Sequence, residues 1–173
     1  TKGMSPKILA VVHAETSTGA RQSLREISSI AKDCGALFLV DAVTSLGGME
    51  VDVDRVGIDI IYSGTQKCLS CPPGLSPVSF SERAIDVLNQ RKTQIPSWYF
   101  DINLVKNYWG DDRTYHHTAP INMIFALRES LRLVAEEGLQ ERFARHRLNH
   151  EALVAGVEAM GLSMFVPEAE RLP

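Results

Sequence analysis

No stretch of the 173-residue chain approaches the roughly 20 consecutive apolar residues that a membrane-crossing helix needs, so no membrane partner is expected. Positive charge is also short. The 18 lysines and arginines stand against 21 acidic residues and are scattered, which leaves no basic stripe for a nucleic-acid backbone. Cysteine is limited to Cys34, Cys68 and Cys71, an odd set that fits a reducing compartment better than a disulfide framework. Cytoplasm is the expected location. Internal repeats and low-complexity tracts are missing too. Thr1-Lys2-Gly3 carries no initiator methionine, no basic region and no apolar signal core. The chain stops at Arg171-Leu172-Pro173, just after an apolar run from Leu162 that reads as the start of a new strand. Both ends therefore predict a segment of a longer protein, with any organellar address outside it.

What is present is a run of strand and helix signals in alternation. Residues 7–13 (KILAVVH) and 36–40 (ALFLV) are short apolar runs suited to buried strands. Between them Leu24, Ile27, Ile30, Ala31 and Cys34 recur at helical spacing, and Gly35 follows as a C-terminal stop. The unit reads as strand, helix, strand of the parallel type. A third strand is expected over 58–62 (IDIIY) and a fourth over 77–80 (PVSF), after a Cys-Pro-Pro-Gly turn. Ser81 caps a helix expected to run through Arg91. Pro120 opens a longer one whose stripe of Ile124, Leu127, Leu131 and Val134 ends at Gly138, and another helix runs to about Met160. The domain division is expected in this last stretch, with residues 1–140 as the central part of one domain and 141–173 as a linking helix and the start of a smaller one.

In an open α/β sheet, ligands sit outside the carboxyl ends of the strands, where loops converge and helix N-termini point. Three successive predicted strands end in polar groups: Glu15-Thr16-Ser17-Thr18-Gly19, Asp41-Ala42-Val43-Thr44-Ser45 and Ser63-Gly64-Thr65-Gln66-Lys67. Parallel strands would bring all three to one rim. A pyridoxal phosphate (PLP) site needs a lysine amine to form an imine and a carboxylate to hold a proton on the pyridine nitrogen. Lys67 and Asp41 suit those roles. Thr16, Gln66 and the small residues around Ser63 offer hydroxyls and amides for phosphate and phenolic oxygens.

Plainer readings stand beside this one. An aspartate at a strand end is often a turn or helix cap, and a lysine in a polar loop is ordinarily solvated. Cys68-Leu69-Ser70-Cys71 has the C-x-x-C spacing, but a zinc site wants a second ligand pair and a redox motif opens a helix, whereas Pro72-Pro73-Gly74 follows here. His146 and His150 are four apart on a predicted helix with no third ligand nearby, and His116-His117 is no better placed. No metal is expected. Trp98, Tyr99, Tyr108 and Trp109 fit packing or a subunit interface.

The strings themselves are more specific than their spacing. His13-Ala14-Glu15-Thr16-Ser17-Thr18-Gly19, Val40 to Gly48 (VDAVTSLGG), Tyr62 to Lys67 (YSGTQK), Pro72-Pro73-Gly74 and Tyr115-His116-His117-Thr118 together resemble the alanine-glyoxylate and serine-glyoxylate aminotransferases. These are class V enzymes of PLP fold-type I, and the resemblance runs from end to end of the chain. It implies the large domain of that fold, a mostly parallel sheet flanked by helices, truncated at both ends. It implies that Lys67 holds PLP, Asp41 pairs with the ring nitrogen, Val43 packs on one ring face, Thr16 lies near the phenolic oxygen and Gln66 binds the phosphate. Tyr115 and Thr118 resemble the pair that reaches the phosphate bound by the other subunit, which implies a homodimer with composite sites.

The activity so implied is PLP-dependent transamination from alanine or serine to glyoxylate, giving glycine and a 2-oxo acid. Its small-molecule partners are thus an amino acid and a 2-oxo acid. The alternatives are 3-hydroxykynurenine or another class V transamination, or an inactive truncated dimerisation module. A cysteine desulfurase is disfavoured, because those enzymes carry histidine before the lysine and Gln66 stands there. The family's phosphate cup, ring-stacking aromatic and carboxylate-gripping arginine have no match in this chain. The segment alone is therefore expected to be inactive, and the amino donor is not readable from it.

Overall fold

The computed structural model describes residues 6–173; the Thr1-Lys2-Gly3 start lies outside the described residues. β1 (Ile8–Val12) is followed by a hairpin of two-residue strands, β2 (Ala14–Glu15) and β3 (Ala20–Arg21), and then by α1 (Leu24–Asp33). The chain returns through β4 (Leu37–Asp41), α2 (Val53–Val56), β5 (Ile60–Tyr62) and β6 (Val78–Phe80). Helices α3 (Glu82–Asn89), α4 (Ile102–Trp109), α5 (Ile121–Glu137) and α6 (Leu139–Ala159) complete the order, with a 3-10 turn at Glu168–Glu170.

The main sheet has the order β1-β4-β5-β6. β1, β4 and β5 are parallel, and β6 joins β5 antiparallel. The mostly parallel sheet expected from the sequence is thus present. β4 occupies a central position and is the most buried strand, with Leu37, Phe38, Leu39 and Val40 as its apolar run. In α1, Leu24, Ile27, Ser28 and Ala31 form the inward face, and Gly35, at φ +66°, takes the left-handed conformation that lets the chain turn back into β4. The core gathers Leu24, Ala31, Phe38, Val40, Ala42, Ile58 and Ile61 between this helix and the sheet.

Side-chain caps set several helix starts. Ser81 accepts the Ala84 N–H at 3.1 Å, Asp52 accepts that of Arg55, and Asp101 accepts those of Asn103 and Leu104. α3 ends at Asn89, two residues before the expected Arg91, while α5 and α6 run as expected. Residues 162–166 depart from expectation: they form no strand. Phe165 is 89% exposed, Pro167 follows without a backbone donor, and the next backbone pairing is an isolated bridge from Ala20 to Arg171. An apolar run becomes a strand only where a neighbouring edge can pair with it.

Candidate functional site

The parallel register brings the three polar strand ends together. Val12 lies opposite Asp41 in the β1–β4 pair, and Asp41 lies opposite Tyr62 in the β4–β5 pair. Past the strands, the His13 N–H donates to the Asp41 carbonyl, and the Ala42 N–H donates to the Tyr62 carbonyl, each at 2.9 Å. The rim is therefore a continuation of the backbone ladder rather than a meeting of loose loops.

Asp41 is held at both carboxylate oxygens. Oδ1 accepts the Val43 N–H at 2.8 Å, and Oδ2 accepts the Tyr62 hydroxyl at 2.7 Å. The first bond is the turn-capping contact that a plain structural aspartate would make. The second comes from the neighbouring strand and is unrelated to capping. It raises the Tyr62 phenol above its ordinary pKa, because the phenol donates to the carboxylate and a phenolate there would face its charge. Each carboxylate oxygen keeps an acceptor lone pair.

Thr16, on the loop between β2 and β3, shares a 2.7 Å hydrogen bond with Thr44, which ties that loop to the one after β4. Nearby, His13 Nδ1 and Ser45 Oγ are 2.9 Å apart. Burial, with a smaller effect from the Arg21 charge, pushes the His13 imidazole down to about 4. This histidine is neutral at pH 7 and serves as a buried tie.

Lys67 is exposed, on the loop after β5. That loop docks on its neighbours through Cys68, whose thiol donates to the Thr44 carbonyl at 3.3 Å. Gln66 folds back over Gly64, where a Cβ would stand 2.6 Å from Gln66 Oε1. A side chain at position 64 would push the Gln66 amide out of this placement. Val43 is half-buried and contributes its N–H as well as its side chain.

Asp41, Val43 and Thr16 thus form one group, and the Lys67 and Gln66 loop is fastened to it through Thr44. Tyr115 and Thr118 stand apart. Their hydroxyls are 3.0 Å from each other, and Tyr115 is 73% exposed. Around them His116 stacks on Trp98 with ring centroids 4.1 Å apart, so this aromatic segment packs on itself.

The C-x-x-C pair has no ligand geometry. Cys71 is buried, the Cys68 thiol is pushed up by burial, and no cluster of three potential metal ligands occurs among the described residues. A hollow of about 800 Å3 opens beside His13, Arg21, Arg55 and Arg147, but none of the seven residues singled out from the sequence lines it. Convergent chemistry, rather than volume, marks the rim as the candidate site.

Sequence reasoning assigned no role to Tyr62, His13, Ser45, Ser130 or Arg142. For Tyr62 the expected strand ends, Val40 and Tyr62, are one residue out of the observed register, in which Tyr62 lies opposite Asp41. For the others the contacts span 32 to 95 positions, and periodicity carries no trace of them.

Residues 3–172 match the family described as aminotransferase class-V. The chain belongs to that family. It is 45% identical to the (S)-ureidoglycine–glyoxylate transaminase of Bacillus subtilis, over 99% of this chain and 46% of that protein. It is also 45% identical to the alanine–glyoxylate aminotransferase of Oryctolagus cuniculus, over 97% of this chain and 44% of that protein. Among solved structures, an alanine–glyoxylate aminotransferase from Nostoc sp. superimposes with a TM-score of 0.94 at 52% identity, covering 96% of this chain and 44% of that one. The chain spans a little under half the length of these class-V relatives. Membership implies dependence on PLP. Among the described residues, no helix is long and apolar enough to cross a membrane.

Proposed function

We propose that this chain is the cofactor-holding segment of a PLP-dependent aminotransferase that moves an amino group from a small amino acid to glyoxylate, releasing glycine and a 2-oxo acid. The observation that carries this reading is the Asp41 carboxylate, fixed at both oxygens at the carboxyl end of a central strand in a class-V chain. Glyoxylate is common to the names of the relatives, whereas the donor differs between alanine and ureidoglycine. The acceptor is thus better supported than the donor, for which alanine and serine are the first to test.

The residues present fit the group. A rim with one exposed lysine, one carboxylate oriented by two donors, and hydroxyl and amide groups within the same loops has the donors and acceptors that a phosphorylated pyridine aldehyde requires. When bound, PLP supplies an aldehyde that condenses with amines and a ring that takes up electrons. Lys67 Nζ would hold it covalently and, once displaced by the amino donor, move the proton from the substrate α-carbon. Asp41 would hold a proton on the ring nitrogen, with Tyr62 and the Val43 N–H keeping its oxygens aimed. Val43 would pack on one ring face, Thr16 would lie by the phenolic oxygen, and Gln66 would bind the phosphate. Tyr115 and Thr118 would serve the site of a second copy. In this reading, residues 1–140 belong to the large PLP domain, and 141–173 lead into the small one.

The test is borohydride reduction of the longer protein that contains this chain, incubated with PLP, followed by peptide mapping and an assay of glycine formation from glyoxylate. We expect one stable label, on Lys67, and glycine formation that Lys67→Ala abolishes. A label elsewhere, or none, sinks the assignment. Dimerisation without a label would favour an inactive assembly module.

A further inference from the structure

A buried arginine from α6 reaches into the loop that carries Lys67. Arg142 is 6% exposed. Its Nε donates to the Gly47 carbonyl at 3.0 Å, one Nη donates to the Cys68 carbonyl and lies 3.4 Å from Ser70 Oγ, and the other pairs with Glu137 at 2.7 Å. A guanidinium is costly to bury and stays buried only when its charge is paired and its N–H groups are used. Here they are spent on two loops, the one after β4 and the one immediately following Lys67. The same loop is gripped a second time, since the buried Ser130 of α5 donates to the Leu69 carbonyl.

Close packing at the same place supports the contact. A Cβ on Gly48 would stand 2.6 Å from Cys68 Sγ, and one on Gly47 would stand 3.2 Å from Leu69 Cδ2. Gly47 also takes φ +87°. The two glycines thus let the loops meet, and the Cys68 thiol closes the contact on the Thr44 carbonyl. Backbone carbonyls at 47, 68 and 69 are thereby fixed by side chains from two helices that carry none of the site's own chemistry.

We propose that Arg142 and Ser130 are positioning residues, a two-point clamp from α5 and α6 that fixes the Lys67 loop against the loop following β4. The consequence for catalysis rests on the PLP reading given above; the restraint itself does not. A lysine that must both bind the cofactor and move a proton at one carbon loses rate steeply when displaced, by about ten- to a hundredfold for an error near 1 Å.

The experiment compares wild type, Ser130→Ala, Arg142→Lys and Arg142→Met in the longer protein. Arg142→Lys keeps the charge but cannot bridge both carbonyls, so it remains informative if Arg142→Met fails to fold. In the cofactor-free proteins, amide hydrogen exchange is followed for residues 66–71, with α1 as an internal control. The expected result is about tenfold faster exchange at 66–71 in Ser130→Ala and Arg142→Lys, with α1 unchanged. With PLP added, kcat should fall about tenfold or more while KM for the amino donor stays within about twofold.

Unchanged exchange at 66–71, or a uniform rise across the chain, overturns the clamp. Faster loop exchange with unchanged kcat overturns its positioning role. Absence of a borohydride label on Lys67 in the wild type, with the exchange effect intact, removes the PLP reading and leaves the restraint standing.

Discussion

At the residue scale, the buried imidazole of His13 ties the carboxyl end of β1 to the loop after β4, and its burial has a measurable cost in acid. With its pKa lowered to about 4, the folded protein binds fewer protons here than the unfolded chain between pH 6.5 and 4. Stability contributed by the neutral imidazole is therefore fully present above pH 6.5 and is lost as pH falls through that window, by roughly 3 kcal/mol in all. Denaturant midpoints of wild type and His13→Asn should converge as pH falls from 7 to 4; parallel curves would show that His13 does not carry this term. At the same scale the sequence was legible where chemistry repeats in strings. Asp41 and Lys67 stand out as candidates from their neighbours, whereas the second donor to Asp41, the Tyr62 hydroxyl, depends on strand register.

At the scale of elements, Asp59 joins three of them. Its Oδ2 accepts the Phe38 N–H of β4 at 2.8 Å and pairs with Arg83 of α3 at 2.7 Å, while its Oδ1 accepts the Ser81 hydroxyl at the cap of α3. Asp59 itself is buried, just ahead of β5. Asp59→Ala would leave a buried N–H and a cationic partner unsatisfied and should cost about 3 kcal/mol. Arg83→Met should cost about 2 kcal/mol, less than Asp59→Ala because the guanidinium is half-exposed, but more than a surface pair because the Asp59 carboxylate is buried and the Gly35 and Ala36 carbonyls lose their donor. Thermal or denaturant unfolding of the two variants checks the ratio; equal losses would mean that the ion pair, not the carboxylate's other bonds, dominates.

The parallel strands and the long helices were legible because their apolar patterns are long and regular. The β2–β3 hairpin and α2, at two to four residues each, are too short for any period to register. α4 is longer and has an Asp101 cap, but Tyr108 and Trp109 at its end blur its helical period. The run at 162–166 has the composition of a strand and forms none, because composition reports burial preference and says nothing of an available edge.

At the scale of the whole molecule, Tyr115 and Thr118 sit on a segment that shares no hydrogen bond with the Asp41 group, an arrangement that suits service to a second copy's site. If the sites are composite, co-expressing a Lys67→Ala chain with a Tyr115→Phe/Thr118→Ala chain should restore up to half of the wild-type activity. In such a heterodimer one site collects both defects and the other collects neither. No restoration would place both sets of residues in a single protomer. The proposed division after residue 140 falls at the start of α6, where Arg142 anchors that helix to the Lys67 loop.

The sequence by itself determined the family and the alternation of strands and helices, and it made Lys67 and Asp41 the candidates for the site, because local patterns and short strings record local chemistry. Only the tertiary structure decided which side chains hold that chemistry in place. Tyr62 on Asp41, His13 on Ser45, and Arg142 and Ser130 on the Lys67 loop are contacts between segments far apart along the chain, and they exist only once register and packing have brought those segments together.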